Sequence, residues 1–149
     1  MYYCEFRADI RHDPGDITIR NCTFENKSGL FCLPFELESR WCINRSLGSI
    51  RFENCQVLNV RRPIFIRGDE YEPITFELEN VRVTPAEEGK TLPVLVAENF
   101  RKIHFKNVTF EGFTDPKIFI RTPGEVEIEG GTPLPVQHLG TINKFYQAY

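Results

Sequence analysis

The sequence has little of what would place a protein in or across a membrane. It has 149 residues, and no stretch approaches the roughly 20 apolar residues of a membrane span. Its opening letters, MYYCEF, lack the basic region and apolar run of a signal peptide. The sequence therefore predicts either a cytoplasmic protein or, if it belongs to a longer chain, an extracellular one, and it leaves the compartment undecided.

An excess of basic residues is also lacking. The net charge is −3 and the isoelectric point is near 5.7, with Lys and Arg scattered along the chain. A nucleic-acid-binding face would be basic, and a polybasic membrane-binding patch would need clustered Lys and Arg. We therefore expect neither nucleic acid nor a membrane among the partners.

The cysteines form no recognisable motif. They are five, an odd number, and no Cys-x-x-Cys occurs, so a zinc knuckle or a thioredoxin-like site has no support. Free thiols in a folded core explain them best. The sequence predicts five free thiols and no cofactor; the cysteines are Cys4, Cys22, Cys32, Cys42 and Cys55.

What the sequence does have is a repeat rich in Phe. In four segments, apolar residues stand two and four positions before an Asn, with polar residues between them, and the asparagines are 33, 26 and 27 residues apart. This period of two is typical of a strand with one buried face. The segments are ITIRNCTF at 17–24, IRFENCQV at 50–57, FELENVRV at 76–83 and IHFKNVTF at 103–110.

The alternation restarts after each Asn, which indicates two strands that meet at a bend. Asn tolerates left-handed backbone geometry, and its amide can bond to nearby backbone. Stacked amides can also bond from one repeat to the next. We expect these asparagines to form a buried structural ladder on the inner side of the bend: Asn21, Asn54, Asn80 and Asn107.

The polar positions beside this ladder predict ordinary cross-strand charge pairs. His104 falls in one of these outward columns. No two His, Cys or acidic residues recur at ligand spacing, so we predict no metal site. The expected pairs are Arg20 with Glu53, Glu79 with Lys106, and Arg51 with Glu77.

A third short strand precedes each following repeat. Three strands per turn of about 26 residues predict an all-β fold, a right-handed parallel β-helix of about five coils. No helical period separates the strands, which argues against a doubly wound fold. The third strands are LFCL at 30–33, IFIR at 64–67, VLVA at 94–97 and IFIR at 118–121.

The length fits a single domain over residues 1–149. We expect an irregular first coil at 1–16, regular coils at 17–130 and a C-terminal cap at 131–149. The cap rests on the apolar spacing of three to four residues from Leu139 onwards, which is typical of an amphipathic segment. Gly130 stands where a further Asn would fall.

With their flanking apolar residues, the four Asn segments resemble the pectin-lyase-like superfamily of β-helices. The segment ITFELENVRV at 74–83 is similar to the C-terminal coils of polygalacturonase-type glycoside hydrolases. The resemblance covers roughly residues 17–130 and implies the fold, with a substrate groove along the third strand. The Asp-Asp, His-Gly and Arg-Ile-Lys motifs of those enzymes do not occur. The resemblance therefore implies no catalytic residue.

Two nearly identical third strands end in arginine, at Arg67 and Arg121. We expect both to point outward, together with Phe65, Leu95 and Phe119. Because arginines hold carboxylates and apolar rings line ligand sites, Arg67, Arg121, Phe65 and Phe119 are candidates for binding an acidic oligosaccharide. The alternative is a plain solvated or protein-facing surface.

Three carboxylates lie near these arginines: Asp69, Glu70 and Glu98. Glycoside hydrolysis requires two carboxyl groups about 5 Å or about 6.5–9.5 Å apart. Neighbouring strands lie about 4.8 Å apart, so Asp69 or Glu70 could meet Glu98 at such a distance. Carboxylates beside arginines are more often plain ion pairs, so the catalytic residues are left unassigned.

The leading hypothesis is a non-catalytic or catalytically degenerate β-helix domain of a polysaccharide-processing type of protein, with carbohydrate binding as its role. One alternative is a glycoside hydrolase or lyase acting on acidic pectic polysaccharide, which leaves enzymatic activity undecided. Another is a self-assembly or protein-interaction module. In that case the N-terminal coil would contact a second copy or an upstream domain.

Overall fold

In a computed structural model, the structure describes residues 15–25, 36–38, 47–68 and 73–139. These residues form an all-β protein with parallel sheets, and none of their helices is long and apolar enough to cross a membrane. The strands are β1 (Gly15–Arg20), β2 (Thr23–Glu25), β3 (Glu36–Glu38), β4 (Leu47–Glu53), β5 (Gln56–Val60), β6 (Ile64–Arg67), β7 (Ile74–Pro85), β8 (Leu95–Glu98), β9 (Phe100–Phe110), β10 (Ile118–Ile120), β11 (Glu125–Glu129) and β12 (Val136–His138), with a 3-10 helix at Glu87–Gly89.

The first sheet contains the strands around the asparagines. β1, β4, the first half of β7, the first half of β9 and β11 pair in parallel, each with the strand one repeat later. β2, β5 and the second halves of β7 and β9 continue the same sheet beyond the bend. The register aligns the apolar positions as the sequence predicts, and one such row is Ile17, Ile50, Phe76, Ile103 and Val126.

The second sheet contains the third strand of each repeat. Its order is β3, β6, β8, β10 and β12, all parallel. The strand in register with β6 is β3 at 36–38, so the predicted position of this strand, at 30–33, is wrong; residues 30–33 lie outside the described residues. β12 falls inside the range 131–149 that we assigned to the cap. The remainder of that tail beyond Leu139 lies outside the described residues.

The register of β8 corrects the sequence alignment by one residue. Ile64 pairs with Leu95, not with Val94, and Leu95 in turn pairs with Ile118. The amide of Val94 donates to the carbonyl of Lys117, which makes Val94 the equivalent of the residue before each strand. Leu95 therefore faces the core and is fully buried, so the expectation that it points outward is wrong.

The core lies between the two sheets and contains the inward apolar rows of both. Three Phe rings from successive repeats, Phe52, Phe76 and Phe105, meet edge to face with centroids 6.2 and 6.1 Å apart. Such pairs contribute about 0.5–1.5 kcal/mol each beyond the apolar area that they bury. Cys55 is buried in the core and Cys22 half-buried beside it, and both are free thiols. The other three cysteines lie outside the described residues.

The asparagines at the bend adopt the left-handed backbone conformation, with φ between 52° and 55°. Asn80 Nδ2 donates to Asn54 Oδ1 at 3.1 Å, and Asn107 Nδ2 donates to Asn80 Oδ1 at 2.8 Å. The four residues, however, are exposed, so the expectation of a buried ladder on the inner side is wrong. Because the Asn is left-handed, the apolar residues before and after the bend both face the core, as Leu78 and Val81 do around Asn80. The Asn itself is left at the outer corner.

A second corner, between the second sheet and the first, was not predicted. Asn99 also has a left-handed conformation with φ of 52°, and its amide nitrogen Nδ2 donates to the carbonyl of Gly68 at 3.3 Å. The backbone N–H of Asn99 donates to Thr122 Oγ1 at 2.7 Å. A Cβ atom at Gly68 would lie 2.2 Å from the carbonyl oxygen of Asn99, so only glycine fits this corner.

Candidate functional site

The outer face of the second sheet holds the residues that the sequence proposed for binding. Phe65, Val96 and Phe119 are aligned on neighbouring strands. They lie on the face away from the core, yet Val96 is 1% and Phe119 6% exposed, whereas Phe65 is partly exposed. Part of this outer face is therefore shielded from solvent. Of the two aromatic rings on this face, Phe65 is more accessible than Phe119.

A charged row runs beside these apolar residues. Arg67 pairs in register with Glu98, and Arg67 Nε lies 3.5 Å from Glu98 Oε2. The amide of Arg121 donates to the carbonyl of Ala97, which sets Arg121 next to Glu98 on the following strand. On the other side of Arg67, Glu38 of β3 is its partner in register. The row therefore alternates acidic and basic residues: Glu38, Arg67, Glu98 and Arg121. With strands about 4.8 Å apart, the two arginine backbones are about 9.6 Å apart.

Of the three carboxylates considered for catalysis, the structure describes only Glu98. Its side chain forms an ion pair with Arg67, as expected for a carboxylate that flanks arginine. Asp69 and Glu70 lie outside the described residues. The described residues therefore bring together no two of these three candidates, where hydrolysis would use a pair.

The outer face of the first sheet is a lattice of alternating charges. Arg20 Nε lies 2.6 Å from Glu53 Oε2, and Arg51 forms ion pairs with Glu53 and Glu79. Lys106 Nζ lies 3.6 Å from Glu79 Oε1. These contacts confirm the predicted pairing of Arg20 with Glu53 and of Glu79 with Lys106, and Arg51 also approaches Glu77 at 3.9 Å.

The lattice ends in a cluster that sequence spacing did not reveal. His104 Nε2 lies 3.1 Å from Glu129 Oε2, and its Nδ1 lies 3.9 Å from Glu77 Oε1. Potential ligand atoms of His104, Glu127 and Glu129 all lie within 4.8 Å of one another. The cluster therefore brings together three metal-ligating side chains among the described residues, where the sequence predicted no metal site.

The parallel register brings this cluster together. Glu127 lies directly opposite His104, and Glu129 opposite Lys106. The acidic residues are more than twenty positions from His104 along the chain, so a search for ligand spacing along the sequence cannot find them. The signal was the repeat itself: aligning VEIE at 126–129 with IHFK at 103–106 sets Glu127 beside His104.

Lys102 borders the same cluster. Its Nζ lies 2.7 Å from Glu127 Oε2 and 3.7 Å from Glu125 Oε1. The hydrogen bond from Lys102 and its charge, with a smaller contribution from His104, lower the pKa of Glu127 below its ordinary value of 4.5. The hydrogen bond to Glu127 raises the pKa of Lys102 above 10.5, although desolvation works in the opposite direction. Both groups are therefore held in their charged forms.

Comparison of the chain with protein-family models, curated proteins and solved structures gives no match. The resemblance to the pectin-lyase-like superfamily thus rests on the repeat and its asparagines.

Proposed function

We propose that the chain is a right-handed parallel β-helix of the pectin-lyase-like kind that acts as a non-catalytic carbohydrate-binding domain. Three strand columns repeat in parallel register, with an Asn corner at the same place in successive repeats. Parallel strands joined by a crossover are right-handed in nearly all proteins. The parallel pairing and this general rule together support the β-helix and its hand.

The observation that carries the binding proposal is the charged row on the outer face of the second sheet. In this row the guanidinium groups of Arg67 and Arg121 lie on either side of Glu98, at a repeat of two strands. The side chain of Arg67 is 46% exposed, and Phe65 stands two residues away on the same face. A guanidinium beside an apolar ring suits a sugar that carries a carboxylate.

A binding role is favoured over hydrolysis or elimination because Glu98, the one catalytic candidate that the structure describes, forms an ion pair with Arg67. Glu98 held by Arg67 stabilises the surface but does not supply a pair of carboxyl groups with separate acid and base roles. The alternative of a hydrolase or lyase acting on pectic polysaccharide predicts turnover of oligogalacturonate. Measuring the release of reducing ends and of unsaturated products tests that alternative directly.

Calorimetric titration with oligogalacturonate tests the binding proposal. We expect measurable heat at millimolar ligand, weaker binding in Arg67→Ala and Arg121→Ala, and further weakening on adding salt. Arg82→Ala is the matched control, since Arg82 is an exposed arginine that is ion-paired on the first sheet, 2.9 Å from Glu111. Absence of heat with the wild-type chain, or equal loss in Arg82→Ala, would exclude this surface as the binding site.

A second candidate function, assembly with another polypeptide, is favoured by the apolar residues of β11. Val126 and Ile128 are only partly buried, whereas Ile103 and Phe105, their partners one repeat earlier, are 0% and 1% exposed. A strand added beside β11 would cover them. Sedimentation of the wild-type chain and of Ile128→Lys tests this candidate: a complex of two or more copies that Ile128→Lys dissociates supports it, and a monomeric wild type excludes self-assembly.

A further inference from the structure

The cluster at the end of the charged lattice has the composition of a metal site. It joins one imidazole, from His104, to two carboxylates, from Glu127 and Glu129. Zinc binds imidazole nitrogen and carboxylate oxygen at about 2.0–2.2 Å, so two of its tetrahedral ligands lie about 3.4 Å from each other. The 3.1 Å between His104 Nε2 and Glu129 Oε2 is close to that separation.

The backbone holds these three residues in a fixed relation. Glu127 and Glu129 are alternate residues of β11, so their side chains leave the same face of the sheet. Glu127 is in register with His104, and the intervening pair, Ile128 and Phe105, faces the core. Two hydrogen-bonded strands therefore position all three ligands, which is more rigid than a loop-borne arrangement.

Glu77 places a carboxylate near the other ring nitrogen of His104, beyond hydrogen-bond distance. Its Oε1 lies 3.9 Å from Nδ1 of His104, on the side of the ring opposite Glu129. Metal-bound histidines usually donate their other ring N–H to a carboxylate or carbonyl, which fixes the ring and its tautomer. Nε2, which lies 3.1 Å from Glu129 Oε2, is therefore the ligand atom, and Nδ1 is left on the side of Glu77.

We propose that His104, Glu127 and Glu129 form a surface site for Zn²⁺, with His104 binding through Nε2. The mixed nitrogen and oxygen donors favour zinc over Mg²⁺ and Ca²⁺, which prefer all-oxygen sites. Lys102 competes with the metal, because its Nζ lies 2.7 Å from Glu127 Oε2 and must release that oxygen. Removing the lysine should therefore tighten metal binding. If the cluster were held by ion pairs alone and bound no metal, removing the lysine would only leave a carboxylate unpaired.

Competition with a fluorescent zinc chelator tests the proposal on the purified, metal-free chain. We expect His104→Gln and Glu129→Gln to weaken Zn²⁺ binding at least tenfold, and Lys102→Met to tighten it severalfold. Glu125→Gln is the matched control: it lies on the same strand and face and contacts the same lysine at 3.7 Å, but it is outside the cluster. Its affinity should equal that of the wild type, and thermal unfolding without metal verifies that each variant is folded.

The five cysteines could also bind zinc, so Co²⁺ is used as a spectroscopic substitute. The proposed ligands give a spectrum without a thiolate-to-metal charge-transfer band, and the spectrum is lost in His104→Gln. Equal Zn²⁺ affinity in the wild type and His104→Gln overturns the proposal. A Co²⁺ spectrum that is the same in the wild type and His104→Gln, with a thiolate band in both, overturns it as well. Neither result bears on oligosaccharide binding by the second sheet.

Discussion

The outer faces of the two sheets differ although the same repeat builds both. On the first sheet the outward positions are charged and form ion pairs from strand to strand, as between Arg20 and Glu53. On the second sheet an apolar outward row lies beside the charged one, and its Val96 and Phe119 are almost as buried as the core. A period of two therefore identifies which residues share a face, but the character of that face depends on what it contacts.

The difference has an energetic consequence. An exposed ion pair contributes little because water screens it and long side chains lose freedom, typically about 0–1 kcal/mol. A buried aromatic ring contributes several times more through the apolar area that it removes from water. The second sheet should thus be sensitive to substitution on both faces, and the first sheet chiefly on its inner one.

The largest expected effect comes from Phe119. Phe119→Ala removes a ring that is 6% exposed and should lower the free energy of unfolding by about 3 kcal/mol, within the range for buried Phe. Urea unfolding measures the change. Lys106→Ala, on the exposed outer face of the first sheet, is the control and should shift stability by less than about 0.5 kcal/mol. A loss below about 1 kcal/mol in Phe119→Ala would show that the two outer faces behave alike.

A smaller effect is expected where the first sheet bends. Asn80→Ala places a Cβ-bearing residue without a polar side chain at φ of 52° and removes two amide contacts, so we expect a loss of about 1–2 kcal/mol. Asn80→Gly removes the same contacts but tolerates the backbone, and it should cost less. Chemical denaturation of both variants separates the two causes. Equal losses would assign the stabilisation to the ladder instead of the left-handed conformation.

The smallest effect concerns the exposed ion pairs at the end of the lattice. Because the folded chain lowers the pKa of Glu127, this group stabilises the fold above its ordinary value of 4.5 and loses that contribution as pH falls through the lowered value. Glu127→Gln should therefore weaken the dependence of stability on pH in this acid range. The raised pKa of Lys102 acts in the opposite sense: its contribution is present below 10.5 and is lost as pH rises through the raised value.

Unfolding curves at several pH values check this prediction, with Glu125→Gln as the comparison. Glu125 approaches Lys102 only at 3.7 Å, so its removal should change the acid dependence less. Added salt should reduce the difference between the variants, since both carboxylates are at the surface. An acid dependence that Glu127→Gln leaves unchanged would mean that the pairing with Lys102 adds nothing measurable to stability.

Much of the fold follows from local features of the sequence. Alternation at residues such as Ile50 and Phe52 identifies the buried face of a strand, because side chains of a strand point to opposite sides in turn. Asn54 and Asn80 mark bends because Asn tolerates the left-handed conformation. The all-β class and the parallel sheets could therefore be predicted, and the structure confirms them.

The site was harder to predict because it depends on register. Leu95 was assigned outward because VLVA at 94–97 was aligned with IFIR at 64–67, yet the later strand is in register one residue further on, with Leu95 opposite Ile64. The cluster of His104 with Glu127 depends on the same kind of pairing, between β9 and β11. A shift of one residue exchanges the two faces of a strand, so small errors of alignment reverse the assignment of a site residue.

The sequence by itself determined the strands, the bends and the polarity of most positions, because these depend on each residue's own backbone preference and on its near neighbours. Only the tertiary structure decided that Asn80 lies at the outer corner, that Phe119 is covered, and that Glu127 meets His104. Each of these depends on residues distant in the chain, whose contacts form together when the sheets pack. Local periodicity therefore does not predict which distant residue becomes the neighbour.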